Sequence, residues 1–165
     1  MDIKARIETA LTKAVDAAVG AGNPPRLTAA IRYALFPAGA RLRPRLCLGV
    51  AGACGDDHPD LTDAAASAIE MLHGASLIHD DMPCFDDAET RRGKPALHLA
   101  FDEALALLAG DALIVLAFQT LAAADAAERL PAMVRVVSGA VGMPSGIVAG
   151  QAWEGEPEPD LARYH

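Results

Sequence analysis

Apolar residues recur at helical spacing along nearly the whole of this chain, and nowhere does β-branched alternation run long enough to suggest a sheet. That pattern restricts the fold to packed helices. Ile3, Ile7, Leu11 and Val15 fall four apart on one stripe, predicting a first helix that "GAGNPP" stops. Further helices are expected over about 27–36, 43–54, 60–80, 99–124, 130–141 and 147–153. Asp60 is the expected N-cap of the fourth, and Pro83 should end that helix by Asp81 or Met82. The closing "DLARYH" reads as the first turns of another helix. At 165 residues the chain suits one domain spanning 1–165, an all-α bundle of roughly six to eight helices.

The apolar fraction is 52 %, mostly Ala, Leu and Val, with only 4 % aromatics. A net charge of −8 argues against a nucleic-acid partner, which selects basic surfaces. An anionic ligand must therefore be held by a local group of cations or by metal. Cys47, Cys54 and Cys84 are odd in number and form no C-x-x-C pair, so neither a disulfide framework nor a zinc site is indicated. The N-terminus lacks the apolar core of a signal peptide. The reading is a reducing, cytoplasmic setting. "ALALLAGDALIVLAF" carries Asp111 in its middle, which favours a buried helix over stable membrane insertion.

The chemistry is concentrated in "LIHDDMPCFDDAETRRGKP". Asp80, Asp81, Asp86 and Asp87 fall within eight residues, and like charge packed so tightly repels unless something positive sits among it. His73, Leu77 and Asp80 lie on one helix face, and Pro83 bends the chain so that Asp86 returns toward them. Hard oxygen donors of this kind suit Mg²⁺, which takes a few carboxylates together with substrate phosphates. Arg91 and Arg92 would face the same phosphates through guanidinium groups matched to bidentate binding. The plainer alternatives stay open at this point. The acidic run would then be a solvated helix end, the arginines its neutralising partners, and His73 an ordinary helix-face histidine.

The ordered set of motifs resembles the trans-isoprenyl diphosphate synthases. "DDMPCFDD" with "RRGKP" resembles the family's first aspartate-rich motif and trailing arginines. "FPAGARLRP" is similar to its G-G-K-R-x-R-P segment, "EMLHGASLIHDD" to its histidine-bearing helix, "LLAGDAL" to the next helix, and "GQAWEGE" to its G-Q-x-x-D stretch. The resemblance implies a helical bundle of the isoprenoid synthase type, represented by its N-terminal half. It further implies that Asp80, Asp81 and Asp86 bind Mg²⁺ and that Arg91 contacts the allylic diphosphate. Arg43, His73 and Arg92 would hold the diphosphate of isopentenyl diphosphate. No single residue is assigned as catalytic. Arg41 and Arg45 are expected to be solvated, and His79 structural.

In the family, bulky residues four and five positions before the first Asp floor the pocket of the growing chain. Ala75 and Ser76 occupy those positions and are small. An open floor follows, unless the small residues serve only close helix packing.

Two departures stand out. Ala40 replaces the family lysine of G-G-K-R, and the chain is little more than half the family length, ending before the K-T pair and second aspartate-rich motif are expected. Three readings follow: a fragment, a short paralogue, or a subunit of a split enzyme. Standalone chain elongation is not expected. The function implied is binding of Mg²⁺ and an allylic isoprenoid diphosphate, with prenyl transfer only if the remaining half is supplied. The alternative is a non-catalytic helical partner of a full-length synthase. A homodimer is expected, with a heteromer as the other possibility.

Overall fold

The computed structural model of the chain describes residues 2–19, 22–36 and 39–158; the expected helix in "DLARYH" lies outside them. Among the described residues there are eight α-helices and one two-stranded hairpin. Two compact units divide the chain, Met1–Asp125 and Ala126–His165.

In the first unit, α1 (Ile3–Ala18) begins at Asp2, whose carboxylate accepts from the Lys4 N–H at 3.3 Å. Ile7, Leu11 and Val15 of its stripe are buried, while Ile3 at the open end is not. α2 (Pro25–Leu35) and α4 (Pro59–Asp80) both begin with proline in the first turn, where its missing N–H costs nothing. α3 (Leu42–Ala53) lies between them. α4 is about 33 Å long at 1.5 Å per residue and is the central element, packing on α6 above all and also on α3, α1 and α2. Its inner surface is lined by Ala64, Ala65, Ala66, Ala68, Gly74 and Ala75, which lets neighbouring backbones approach closely. Met71 and Ile78 fill the remaining gaps.

Three local expectations are corrected. His58, not Asp60, occupies the N-cap of α4; Asp60 sits in the first turn, where its charge favours the helix N-terminus. The single helix expected over 99–124 is two, α5 (Leu97–Ala100) and α6 (Glu103–Ala122). The break falls where Asp102 turns extended and caps α6, its Oδ1 accepting the Leu105 N–H at 2.7 Å. "RRGKP", read as a simple break, folds into a hairpin in which β1 (Thr90–Arg91) pairs antiparallel with β2 (Lys94–Pro95). Arg92 and Gly93 form its two-residue loop with φ of 54° and 76°, the double positive φ that matches strand twist.

α6 is, among the described residues, the helix long and apolar enough to cross a membrane. Its inner row, including Ala106, Ala109, Leu113, Leu116, Ala117 and Leu121, is core. Its outer row leaves Leu107, Leu108 and Val115 about half exposed. In the second unit, α7 (Leu130–Val141) packs on α8 (Ile147–Glu154), with Val137 and Ala149 buried.

Candidate functional site

The first unit gathers the singled-out residues at the C-terminal end of α4. Asp80 closes the helix and Asp81 caps it. The chain then folds back on that end through backbone bonds, with Asp86 N–H donating to Asp80 O at 2.9 Å and Ala88 N–H to Asp81 O at 3.1 Å. This return brings the Asp86 carboxylate into the field of Asp80. Burial, then the charges of Asp86 and Asp81, push the Asp80 carboxyl above its ordinary 3.8, while Arg91 opposes them.

Asp81 has a different environment. It is buried, and Arg91 grips it, with Nε 3.0 Å from each carboxylate oxygen and Nη2 also on Oδ1. That bond raises the Arg91 guanidinium and outweighs burial, which lowers it. Arg91 thus bonds Asp81 directly and acts on Asp80 and Asp86 only through its charge.

Among the described residues no three His, Cys, Asp or Glu side chains are gathered into a cage that could hold a metal ion. The donor set still fits Mg²⁺, because that ion takes one or two carboxylates and completes its shell with phosphate and water. Asp80 and Asp86 offer two hard carboxylates whose mutual repulsion a cation relieves.

A cationic patch lies around His73, on the same face of α4 as Asp80 and two turns back. Arg43, in the first turn of α3, places Nη1 3.2 Å from His73 Nε2. Burial first, then Arg43, with Arg92 and Arg91 contributing, lowers the His73 pKa below 6.5, against a raising influence from Glu70. Three guanidinium groups therefore bear on one imidazole. Arg92 lies against Gly39, where a Cβ would meet its Cζ at 2.7 Å, so a side chain at that position would displace the end of Arg92. Ala40 beside it is exposed.

The hairpin carrying Arg91 and Arg92 is anchored to α2. Tyr33 donates its hydroxyl to Pro95 O at 3.0 Å, and Lys94 Nζ donates to Phe36 O at 3.2 Å while sitting 4.9 Å above the Tyr33 ring. Behind Asp81 and the hairpin a cavity of about 120 Å³ is lined by Tyr33, Leu77, Ile78 and Lys94 among others. Its volume leaves room for several waters.

Ser76 is half-buried and donates to the His73 carbonyl at 3.0 Å, whereas Ala75 is core. The two proposed floor positions therefore differ, and Ser76 is the one that shares a face with Asp80. The His79 ring fills the space over Gly110, with Nε2 3.4 Å from Leu107 O and 3.8 Å from Asp111 Oδ1. Gln151 lies on α8, in the second unit.

The expectation for Arg41 is overturned: it is not solvated but 97 % removed from water, with only 3 % of its surface exposed. Burial lowers its pKa, and bonds to Glu8 and Glu70 more than offset that. No local sequence signal marks it, because its acidic partners Glu8 and Glu70 lie 33 and 29 residues away in the chain.

The polyprenyl synthetase family model matches residues 24–164. The chain is 52 % identical over 167 residues to a geranylgeranyl diphosphate synthase of Cereibacter sphaeroides, covering all of this chain and 58 % of that protein. It is 51 % identical over 170 residues to the geranylgeranyl diphosphate synthase of Rhodobacter capsulatus, again covering all of this chain and 58 % of the relative. Among solved structures, a geranyltransferase from Legionella pneumophila superposes with a TM-score of 0.83 at 37 % identity, over 92 % of this chain and 53 % of that one. An FPP/GFPP synthase from Zymomonas mobilis gives a TM-score of 0.79 at 35 % identity, over 93 % and 57 %. The chain spans little more than half the length of these proteins.

Proposed function

The chain belongs to the polyprenyl synthetase family, and on that footing we propose that it binds Mg²⁺ and an allylic isoprenoid diphosphate at the end of α4. Its all-α bundle is of the isoprenoid synthase type. The observation that carries the functional reading is the split aspartate motif, with Asp81 neutralised by Arg91 while Asp80 and Asp86 repel each other. Asp80 and Asp86 hold the metal in this reading, with Asp81 joining as a diphosphate draws Arg91 toward itself. Mg²⁺, when bound, stabilises negative charge on the departing diphosphate. Arg91 contributes a guanidinium to the same anion. Arg43, His73 and Arg92 form the second anion site, for the diphosphate of isopentenyl diphosphate, and the closeness of Arg43 to His73 supports it.

The relatives' names point to geranylgeranyl-length products, and small Ser76 below Asp80 agrees with a long tail. Prenyl transfer from that allylic chain to isopentenyl diphosphate is the reaction these two sites would serve. It draws also on parts of the relatives' length that this chain does not span. The exposed Leu107, Leu108 and Val115 of α6 support a homodimer through that face.

A second reading, a non-catalytic partner of a full-length synthase, is favoured by one observation. Ala40 leaves the second anion site without the lysine that the family places there. Calorimetry decides between them. Farnesyl and geranylgeranyl diphosphate should bind only with Mg²⁺, and Asp80→Ala should abolish that dependence. Metal-independent binding that Asp80→Ala leaves unchanged would leave only the partner role.

A further inference from the structure

The geometry points to Arg41 as the positioning residue for the second anion site, acting through Arg43. The inference rests on the reading of Arg43 and His73 given above.

Arg41 is the N-cap of α3 and adopts φ 51°, ψ 37°, a left-handed conformation disfavoured for any residue with a side chain. Something must hold it there. Its guanidinium is 1 % exposed and its donors are spread over three elements. Nε and Nη2 bond the two oxygens of Glu8 at 2.9 and 3.2 Å, Nη1 bonds Glu70 Oε1 at 2.6 Å, and Nη2 bonds Leu35 O at 2.8 Å. The Phe36 ring lies 5.8 Å away on its face. α1, the end of α2 and the middle of α4 are thereby tied to the point where α3 starts.

Two rungs then join α3 to α4. The buried rung is Arg41 to Glu70. The exposed rung is Arg43 to His73, two residues further along α3 and three along α4. Arg43 sits on an exposed, flexible side chain, so its aim depends on where the first turn of α3 is held. The buried rung holds it.

Packing alone does not account for this arrangement. Taking the Arg41 guanidinium and the Glu70 carboxylate from water is costly, and apolar residues of similar volume commonly stabilise as well or better. What the ionic arrangement adds is a fixed register, since the planar fork serves two carboxylates and a carbonyl at once. Lysine, a point charge on a flexible stem, cannot reproduce that. With alanine at position 40, the second anion site depends more heavily on Arg43 being correctly aimed.

The test compares two ligands in Arg41→Lys and in the near-isosteric Glu70→Gln. Each variant is first checked for folding by circular dichroism. Affinity for isopentenyl diphosphate, measured without Mg²⁺, should fall about ten-fold or more, the worth of one charged hydrogen bond. Mg²⁺-dependent affinity for farnesyl diphosphate should stay within about two-fold of the unmodified protein, because a positioning loss is confined to one site. The ¹⁵N shift of His73 Nε2 should move in Arg41→Lys, which leaves the charge of Glu70 in place, as Arg43 leaves it. Unchanged isopentenyl diphosphate affinity in a folded variant overturns the inference, as does an equal loss for both ligands. Arg43→Ala separates the premises. If it weakens isopentenyl diphosphate binding and Arg41→Lys leaves that binding unchanged, positioning alone fails; if Arg43→Ala changes nothing, the reading of the site fails with it. Should Arg41→Lys not fold, the two ligand affinities of Glu70→Gln decide the same outcomes.

Discussion

Arg91 holds the buried carboxylate of Asp81 side-on, its Nε 3.0 Å from Oδ1 and from Oδ2. One arginine thereby neutralises one aspartate of the motif, while the charge of Asp86 still bears on Asp80. The motif is not a uniform acidic patch. Its two parts respond differently to substitution.

Arg91→Ala strands a carboxylate whose side chain is 4 % exposed. The expected loss is about 1–3 kcal/mol, the usual penalty for a buried acceptor left without its donor. Urea unfolding measures it. Adding Asp81→Asn should recover part of the loss, because the pair is coupled and the two substitutions are not additive.

Asp80→Asn should act in the opposite sense. The fold raises the Asp80 pKa above 3.8, chiefly by burial and then by Asp86, so it disfavours the charged form. That cost is absent at pH well below 3.8, grows as pH rises through the raised folded value, and is complete at neutral pH. The variant is therefore expected to melt slightly higher than the unmodified protein at pH 7 while losing Mg²⁺-dependent ligand binding. A lower Tm would mean that Asp80 is already compensated in the free protein.

Much of this was legible in the sequence, and the reasons for the remainder are specific. The period of α4 and the stop at Pro83 place Asp80 at a helix end, and that much needs only local rules. Helix pairing across long separations is not local. Among Arg41, Arg43 and Arg45 the sequence offers no ground for burying the first. What buries it is a left-handed cap that turns the chain, together with acidic side chains from α1 and α4. The hairpin was missed because two-residue strands carry no periodicity, and its Arg92–Gly93 turn looks like any loop. The break before α6 was missed because Asp102 interrupts a run whose apolar spacing continues on both sides. The pairing of Asp81 with Arg91 depends on the loop returning to the helix end, which spacing alone does not reveal.

His73 supplies a pH dependence. Its folded pKa is depressed, by burial first and then by Arg43, with Arg92 and Arg91 adding to it. The unfolded chain takes up the proton more readily, so the stability linked to His73 is intact above pH 6.5 and is lost as pH falls through that value toward the lower folded one. Urea midpoints should drop between pH 7.5 and pH 5.5, values chosen to bracket the window at roughly one unit to either side. His73→Gln should shrink that drop. An unaltered drop would assign it to the other histidines.

Ser76 bears on chain length. A bulky side chain there, as in Ser76→Phe, should weaken geranylgeranyl diphosphate binding about ten-fold, on the order of the 1–3 kcal/mol that overpacking costs. Dimethylallyl diphosphate, whose tail does not reach that level, should bind as before. Equal effects on both ligands would place the tail elsewhere.

The most direct measurement uses Mn²⁺ as a paramagnetic stand-in for Mg²⁺. Free Mn²⁺ is counted by electron paramagnetic resonance as it is titrated with the protein, in the presence and absence of farnesyl diphosphate. Two carboxylates alone make a weak site, and diphosphate completes it. The account therefore predicts weak metal binding that tightens at least ten-fold when diphosphate is present, and loss of that enhancement in both Asp80→Ala and Asp86→Ala. Enhancement that survives in both variants would contradict it, because the metal would then ride on the ligand without the aspartates at the end of α4.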